Sequence, residues 1–274
     1  SVRAAAWNIE RGRKLEGILR ALSTHERLRN ADVLLLTELD IGMARSGNVD
    51  VPRVIATHCR LNYAFAPSYI NLQKGSGLEI QTSDENRQAL HGNAIFSTHP
   101  LTDVRSISLP NGKDKMKGKE KRLGSQRAVI ATVHHPAGPF RAASVHLDAH
   151  STQKHRKRQL EMVLDEVDRL SPRLPTIVGG DWNTSTHNSS RAVYSILGYF
   201  RRLLMGPRYV LANHYLHPER YFERHLFGML NQRGYDFRNL NVIGKRTLDY
   251  DILDLAQNSG LADWIPKWCF WWIE

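Results

Sequence analysis

The sequence predicts an α/β chain in which strands and helices alternate and several strands run directly into polar loops. Three observations predict it. Short apolar runs stop abruptly at Asn8, Glu38, His146 and Asp181. The segments between them carry apolar residues at helical spacing, as at Leu15, Ile18, Leu19 and Leu22, which marks an amphipathic helix rather than a strand. Two adjacent runs are joined by a short segment, Pro136 to Pro139, the composition of a tight turn between antiparallel strands.

Residues 2–7 read as the first strand and residues 14–29 as an amphipathic helix. Residues 32–37 form a near-continuous apolar run, as in a strand buried on both faces. A second helix is expected over about residues 51–61 and a short strand over 63–67, followed by a polar, glycine-containing insertion over 68–90. Residues 92–97, 101–108, 127–133 and 140–147 read as strands, the last three as a meander interrupted by a lysine-rich loop at 112–124. Ser151 is placed to cap a helix that carries Leu160, Val163, Leu164 and Val167 on one face, and Ser171-Pro172 ends it. Residues 176–178 give one more buried strand. Beyond it, residues 191–205 read as a helix, and Pro218 suits the first turn of another that runs to Gln232 and stops at Gly234. Residues 235–274 show no clear period, and the end, Trp264 to Ile273, is rich in aromatic residues. That segment reads as core or as an interfacial or partner-binding surface.

Gly179-Gly180-Asp181-Trp182-Asn183 is the most informative stretch. The glycines allow a sharp turn or a close approach of backbone to a neighbour, and they leave Asp181 and Asn183 at a strand end. A carboxylate there can orient a water or bind a cation, and the carboxamide can contact a phosphate oxygen. Each polar strand end also has a bland reading: a turn for Asp-x-Asn and for Asn8, a solvated strand end for Glu38, a satisfied core histidine for His146. Glu38 follows a run buried enough that an unpaired acid costs desolvation energy. The four in this order are hard to reconcile with chance.

Trp7-Asn8-Ile9, Thr37-Glu38-Leu39, Gly92-Asn93-Ala94-Ile95-Phe96-Ser97, Ser144-Val145-His146-Leu147 and Gly180-Asp181-Trp182-Asn183 together resemble the motif series of the endonuclease/exonuclease/phosphatase superfamily, similar in fold to deoxyribonuclease I and exonuclease III. The resemblance covers about residues 2–190. It implies a two-sheet α/β sandwich flanked by helices, as one domain over 1–274, and hydrolysis of phosphoesters with a divalent metal, magnesium first and manganese as the alternative. Such hydrolysis must neutralise charge on the non-bridging and leaving oxygens and aim a water in line. Glu38 is assigned as the main metal ligand with the Asn8 side-chain oxygen as its partner. Asp181 is assigned to the attacking water, Asn183 to a phosphate oxygen and His146 to transition-state charge. Asn93 and Arg127 are further candidates for phosphate contacts.

The net charge of +11 over 274 residues favours a polyanionic partner. Nucleic acid is the first expectation, and a phospholipid or phosphoinositide headgroup the second. Lys115, Lys117 and Lys119, in the 112–124 loop, are candidate substrate contacts, and Lys154 to Arg158 form a second basic cluster. Both clusters read equally as solvated faces. Cys59 and Cys269 do not make a disulfide framework. No apolar run reaches the roughly 18 residues of a membrane span, and a monomer is expected. The 13 histidines raise a zinc hydrolase, but no His-Glu-x-x-His is present.

Superfamily members close the site with a late Asp-His pair, and no histidine here follows an Asp. Ala262-Asp263-Trp264-Ile265 only faintly echoes the strand expected before that pair. The chain is therefore expected to be an incomplete catalytic unit, with a catalytically degraded polyanion-binding module as the alternative.

Overall fold

The computed structural model describes residues 1–118, 120–184 and 192–245. In chain order the elements are β1 (Ala4–Arg11), α1 (Leu15–Thr24), α2 (Glu26–Arg29), β2 (Val33–Ile41), α3 (Val51–Cys59), β3 (Asn62–Asn71), β4 (Leu90–Ser97), β5 (Leu101–Ser108), β6 (Arg122–Gly124), β7 (Arg127–Val133), β8 (Phe140–His146), α4 (Gln153–Arg169), β9 (Thr176–Asp181), α5 (Ala192–Met205), α6 (Pro207–Val210) and α7 (Arg224–Gln232). A π turn, Leu211–Tyr215, continues α6.

Two mixed sheets stack face to face. The first has the order β1-β2-β4-β3-β6 and the second β5-β7-β8-β9. The parallel pairs are β1 with β2 and β8 with β9. Val33, Leu35, Ile95, Val129, Ala131 and Phe140 fill the layer between the sheets. The outer face of the first sheet is covered by Ile18 and Leu22 of α1 and Ile55 of α3. The outer face of the second is covered by Leu160, Val163 and Leu164 of α4 with Leu226 and Leu230 of α7. The result is the helix-flanked two-sheet sandwich expected from the motifs, with a continuous β2 that is buried on both faces, as its apolar run requires.

Local chemistry moved several boundaries. The helix expected over 14–29 breaks at His25, which is extended. Ser23 and Thr24 there turn their hydroxyls back to Leu19 O and Arg20 O, a competing pattern that favours a helix end. Thr152, not Ser151, caps α4, accepting from His155 N at 3.1 Å; the Ser151 hydroxyl instead donates to Asp148 O. The helix expected from Pro218 starts at Arg224, and residues 218–222 form turns before it. β3 extends to Asn71, well into the expected insertion, with a register shift between Pro67 and Tyr69 where proline can give no ladder hydrogen bond. The aromatic segment 264–273 lies outside the described residues.

The insertion is anchored by buried charge. Arg45, 1% exposed at its side chain, pairs with Asp40 at 2.7 Å and with Glu120 at 2.7 Å. His91 Nδ1 donates to Asp40 Oδ1 at 2.7 Å, and Arg11 and Arg122 pair with Glu79 and Glu120. The network ties β2 and β4 to the turn at Gly77–Gln81 and to the approach to β6. Burial raises the Asp40 carboxyl, but hydrogen bonds from His91 and Arg45 and their charges outweigh it and hold its pKa at about 2.

Arg45→Met should destabilise the fold by about 3–5 kcal/mol, because Asp40 and Glu120 would be left buried without their cation; denaturant unfolding measures it. Asp40 carries a depressed folded pKa, so its contribution is present above the ordinary value of 3.8 and lost as pH falls toward about 2. Wild-type stability should therefore fall between about pH 4 and pH 2, and Arg45→Met should show a shallower acid limb. A limb of unchanged slope in the variant would separate Arg45 from the Asp40 titration.

Candidate active site

The site forms where β1, β2, β8 and β9 end together. β1, β2 and β9 depart from regular geometry at that point. β1 shifts register between Asn8 and Arg11, and β2 between Leu36 and Leu39. Glu38 has φ of 58° and Asn183 of 47°, left-handed values that are uncommon for such residues and recur at functional sites. A bulge re-aims the side chain that it carries. Here the Glu38 side chain leaves the alternation of β2 and turns toward Asn8.

The paired glycines let the second sheet come close enough to complete the site. A Cβ at Gly179 would lie 2.8 Å from Leu35 Cδ1 and 3.2 Å from the Ala6 Cβ. Gly180, with φ of 132°, would place a Cβ 2.1 Å from Val145 O. No other residue fits either position without displacing backbone or core.

Asn8 joins the two sheets. Its Nδ2 donates to Glu38 Oε1 at 3.0 Å and to Asp181 Oδ2 at 2.8 Å. Its Oδ1 accepts from Glu10 N at 3.0 Å. In this arrangement the Asn8 nitrogen, not its oxygen, faces Glu38. Reversing the amide would set its oxygen against two carboxylates and its NH2 against the Glu10 N–H. His146 lies opposite, with Nε2 3.9 Å from Glu38 Oε1 and 3.8 Å from Asp181 Oδ2. Asp181 is held by Asn183 N, which donates to Oδ1 at 2.9 Å, while Asn183 Nδ2 donates to Leu147 O at 2.8 Å.

Two carboxylates thus face one pocket across a single amide. Burial raises the Glu38 carboxyl, yet the charges of His146, His91 and Arg11 and the Asn8 hydrogen bond bring its pKa down to about 2. Glu38 is ionised at neutral pH. Ligand atoms of Glu38, His146 and Asp181 all lie within 4.8 Å of one another. Two oxygen donors with a partial hydration shell suit magnesium, which often takes only one or two carboxylates from a protein.

The remaining candidates divide. Asn93, 1% exposed, is out of reach of a substrate. Its Nδ2 donates to Arg127 O at 2.7 Å and its Oδ1 accepts from Glu38 N at 3.4 Å, so it braces the bulge that carries Glu38. Arg127 enters β7 at the site end, and its guanidinium donates to Ser106 Oγ at 3.1 Å. Lys115 is not a free surface cation: its Nζ donates to buried Asp148 at 3.0 Å. Gly112 N donates to the same carboxylate at 2.7 Å, which pins the lysine loop two residues beyond His146. Lys117 is exposed, and Lys119 lies outside the described residues. In the second basic cluster, Arg156 points inward, fully buried against Glu223, with Nε donating to Oε1 at 3.0 Å. The sequence reading missed Asp40, Arg45 and His91 behind Glu38. The only signal was an acid, Asp40, between Leu39 and Ile41 in a buried strand.

No protein of curated function matches the sequence. Among solved structures, the chain is similar to an endonuclease/exonuclease/phosphatase from Beutenbergia cavernae, at 19% identity and a TM-score of 0.42 over 67% of this chain and 47% of that one. It is similar to the catalytic domain of human Nocturnin with bound sulfate, at 21% and 0.44 over 69% and 66%. It is also similar to an endonuclease/exonuclease/phosphatase from Bacteroides vulgatus, at 13% and 0.44 over 68% and 67%. The matched region spans about half to two thirds of those chains. The model of the Endonuclease/Exonuclease/phosphatase family matches residues 5–250. With that match spanning all four converging strand ends, the chain belongs to the Endonuclease/Exonuclease/phosphatase family, whose members hydrolyse phosphoesters.

Proposed function

We propose that this chain is a divalent-metal-dependent phosphoester hydrolase that acts as a phosphodiesterase on nucleic acid. The observation that carries the reading is the Asn8-bridged pair of carboxylates, Glu38 and Asp181, with the His146 imidazole against both. Glu38 and Asp181 offer oxygen atoms to one cation, and a bound magnesium ion would neutralise charge on the phosphoryl and leaving oxygens. Asn8 uses both amide N–H groups to hold the two carboxylates in place. Asp181 Oδ2 is turned into the pocket and orients the attacking water. His146 Nε2 stands where it can donate to charge developing on a phosphoryl oxygen. The amide of Asn183 has a second N–H, and this is the contact proposed for a phosphate oxygen.

The net charge of +11 and exposed Lys117 support a polyanionic substrate. A lipid-borne phosphate is the second reading, favoured by α5, which exposes Ile196, Leu197, Phe200 and Leu204 beside Arg201. Cleavage of single-stranded DNA, RNA and anionic phospholipid vesicles, each with magnesium and with chelator, separates the two. Magnesium-dependent cleavage of the vesicle lipid alone would overturn the nucleic-acid reading. Binding of all three without turnover would overturn the hydrolase reading in favour of a polyanion-binding module.

Glu38→Gln keeps shape and removes charge. It should lower magnesium-dependent hydrolysis by at least about 10²-fold and weaken magnesium binding in calorimetric titration. Equal magnesium affinity in the variant removes Glu38 from the metal site.

The two loop lysines should separate cleanly. Lys117→Glu should leave the melting temperature within about 1 °C and reduce the salt dependence of DNA binding by about one counterion. Lys115→Glu sets an acid against buried Asp148 and should cost about 3 kcal/mol of stability. Equal melting temperatures for the two variants would mean that the Lys115–Asp148 pair does not hold the loop.

A further inference from the structure

A second cluster of ligand-type side chains lies at the other end of β2. Asp32 immediately precedes that strand, and Glu38 is six residues further on, roughly 20 Å at strand rise. His99 sits in the connection from β4 to β5, which crosses from the first sheet to the second. His135 sits in the turn between β7 and β8. Asp32 Oδ1 lies 3.8 Å from His99 Nε2 and 3.8 Å from His135 Nε2. All three ligand atoms fall within 4.8 Å of one another.

The cluster is built, not incidental. Arg3 N donates to Asp32 Oδ2 at 2.6 Å while Asp32 N donates to Arg3 O at 2.8 Å, so one carboxylate oxygen is spoken for and the other turns to the rings. Ser97 Oγ donates to Asp32 O at 2.8 Å and accepts from His99 N at 3.0 Å, fixing the histidine to the strand that follows Asp32. His134 N donates to Pro100 O at 3.0 Å and joins the third loop to the second. The two rings meet edge to face with centroids 4.7 Å apart. Among the described residues His99 Nε2 is buried without a hydrogen-bond partner, a costly state for a polar atom unless something else completes it.

We propose that Asp32, His99 and His135 form a zinc-class metal site that staples the two sheets at the end remote from the candidate active site. Two imidazoles and one carboxylate suit zinc and its neighbours among the transition metals rather than magnesium or calcium. With metal–ligand bonds of about 2.0–2.1 Å, tetrahedral ligands stand about 3.3 Å apart. Each of the two 3.8 Å gaps to Asp32 therefore closes by about half an ångström on binding. Three protein ligands leave the fourth position to water. The Ala137 N–H donates to His135 Nδ1 at 3.0 Å, which in a neutral ring puts the proton on Nε2. Loading removes that proton to solvent and the ring takes one up at Nδ1, with no net change, while the Ala137 amide withdraws from Nδ1. Zinc binding is thus coupled to a small opening of the turn at residues 136–138.

The inference is independent of the phosphoesterase reading. Zinc is titrated into the protein by calorimetry with magnesium in excess, using wild type, Glu38→Gln, His99→Gln and His135→Gln. Wild type and Glu38→Gln should share one zinc equivalent that either histidine variant loses or binds more than about 100-fold more weakly, beyond the typical cost of losing an outer-shell partner. Zinc at about 100 times its Kd should raise the wild-type melting temperature by about 5 °C and that of His99→Gln by none. The Ala137 amide should show zinc-dependent exchange with solvent. Unchanged zinc stoichiometry and affinity in both histidine variants overturns the site, and so does a wild type whose zinc equivalent vanishes in Glu38→Gln. Should the histidine variants fail to fold, zinc-edge X-ray absorption on Glu38→Gln decides: two imidazole ligands support the site, and an all-oxygen shell refutes it.

Discussion

The candidate active site depends on one close approach between two sheets. Asn8 belongs to the first sheet and Asp181 to the second, 173 positions apart in sequence, and one amide hydrogen bond of 2.8 Å spans them. Small side chains make this distance available: Ala6 on β1, Ala142 on β8, and Gly179 on β9 where a single added carbon would meet Leu35. Packed interiors do not deform continuously, so filling that gap would push the sheets apart rather than compress them. The position of Asp181 relative to Glu38 is therefore a consequence of side-chain volume in the core behind it, not of the loop that follows.

Charge behind the site is arranged in layers. Glu38 faces the pocket, and Asp40, two residues on and on the same strand, faces His91 and Arg45. Desolvation alone would raise both carboxyls, yet each ends at about 2, because cationic and N–H partners outnumber the acids that they hold. The same guanidinium that fixes Asp40 reaches Glu120, in the chain leading into β6, and Glu79, in the insertion between β3 and β4. The insertion between β3 and β4 is thus coupled to the strand that bears Glu38, and a change in either is felt by the other through buried ions.

The strands and their polar ends could be read from sequence because both rest on short-range patterns: an apolar run, then a residue that cannot stay buried unpaired. The convergence of Asn8, Glu38, His146 and Asp181 was expected on the motif series, and these residues do meet. Orientation was not readable. That Asn8 turns its nitrogen inward depends on the Glu10 amide at a bulge, and bulges leave no periodic trace. The basic runs misled for a related reason. Lys115 and Arg156 look solvated in sequence, but their partners, Asp148 and Glu223, are 33 and 67 residues away. Long side chains with apolar stems bury readily once such a partner exists.

An electronegative pocket in a chain of net charge +11 is a physical problem if the ligand is itself an anion. At an effective dielectric of about 20, a phosphate oxygen 4 Å from either carboxylate meets roughly 4 kcal/mol of repulsion. Basic groups at a distance cannot cancel that term, since salt screens them within about 10 Å. Lys117 and its neighbours can raise the local concentration of a polyanion, but they cannot seat a phosphate between Glu38 and Asp181. Only a cation inside the pocket can. On the proposed reading the metal is therefore required for productive substrate binding as well as for the chemical step, and loss of the Glu38 charge affects both. The surface charge and the acidic pair then have separate tasks: one governs the rate of encounter, the other whether the encounter leads to a bound phosphate.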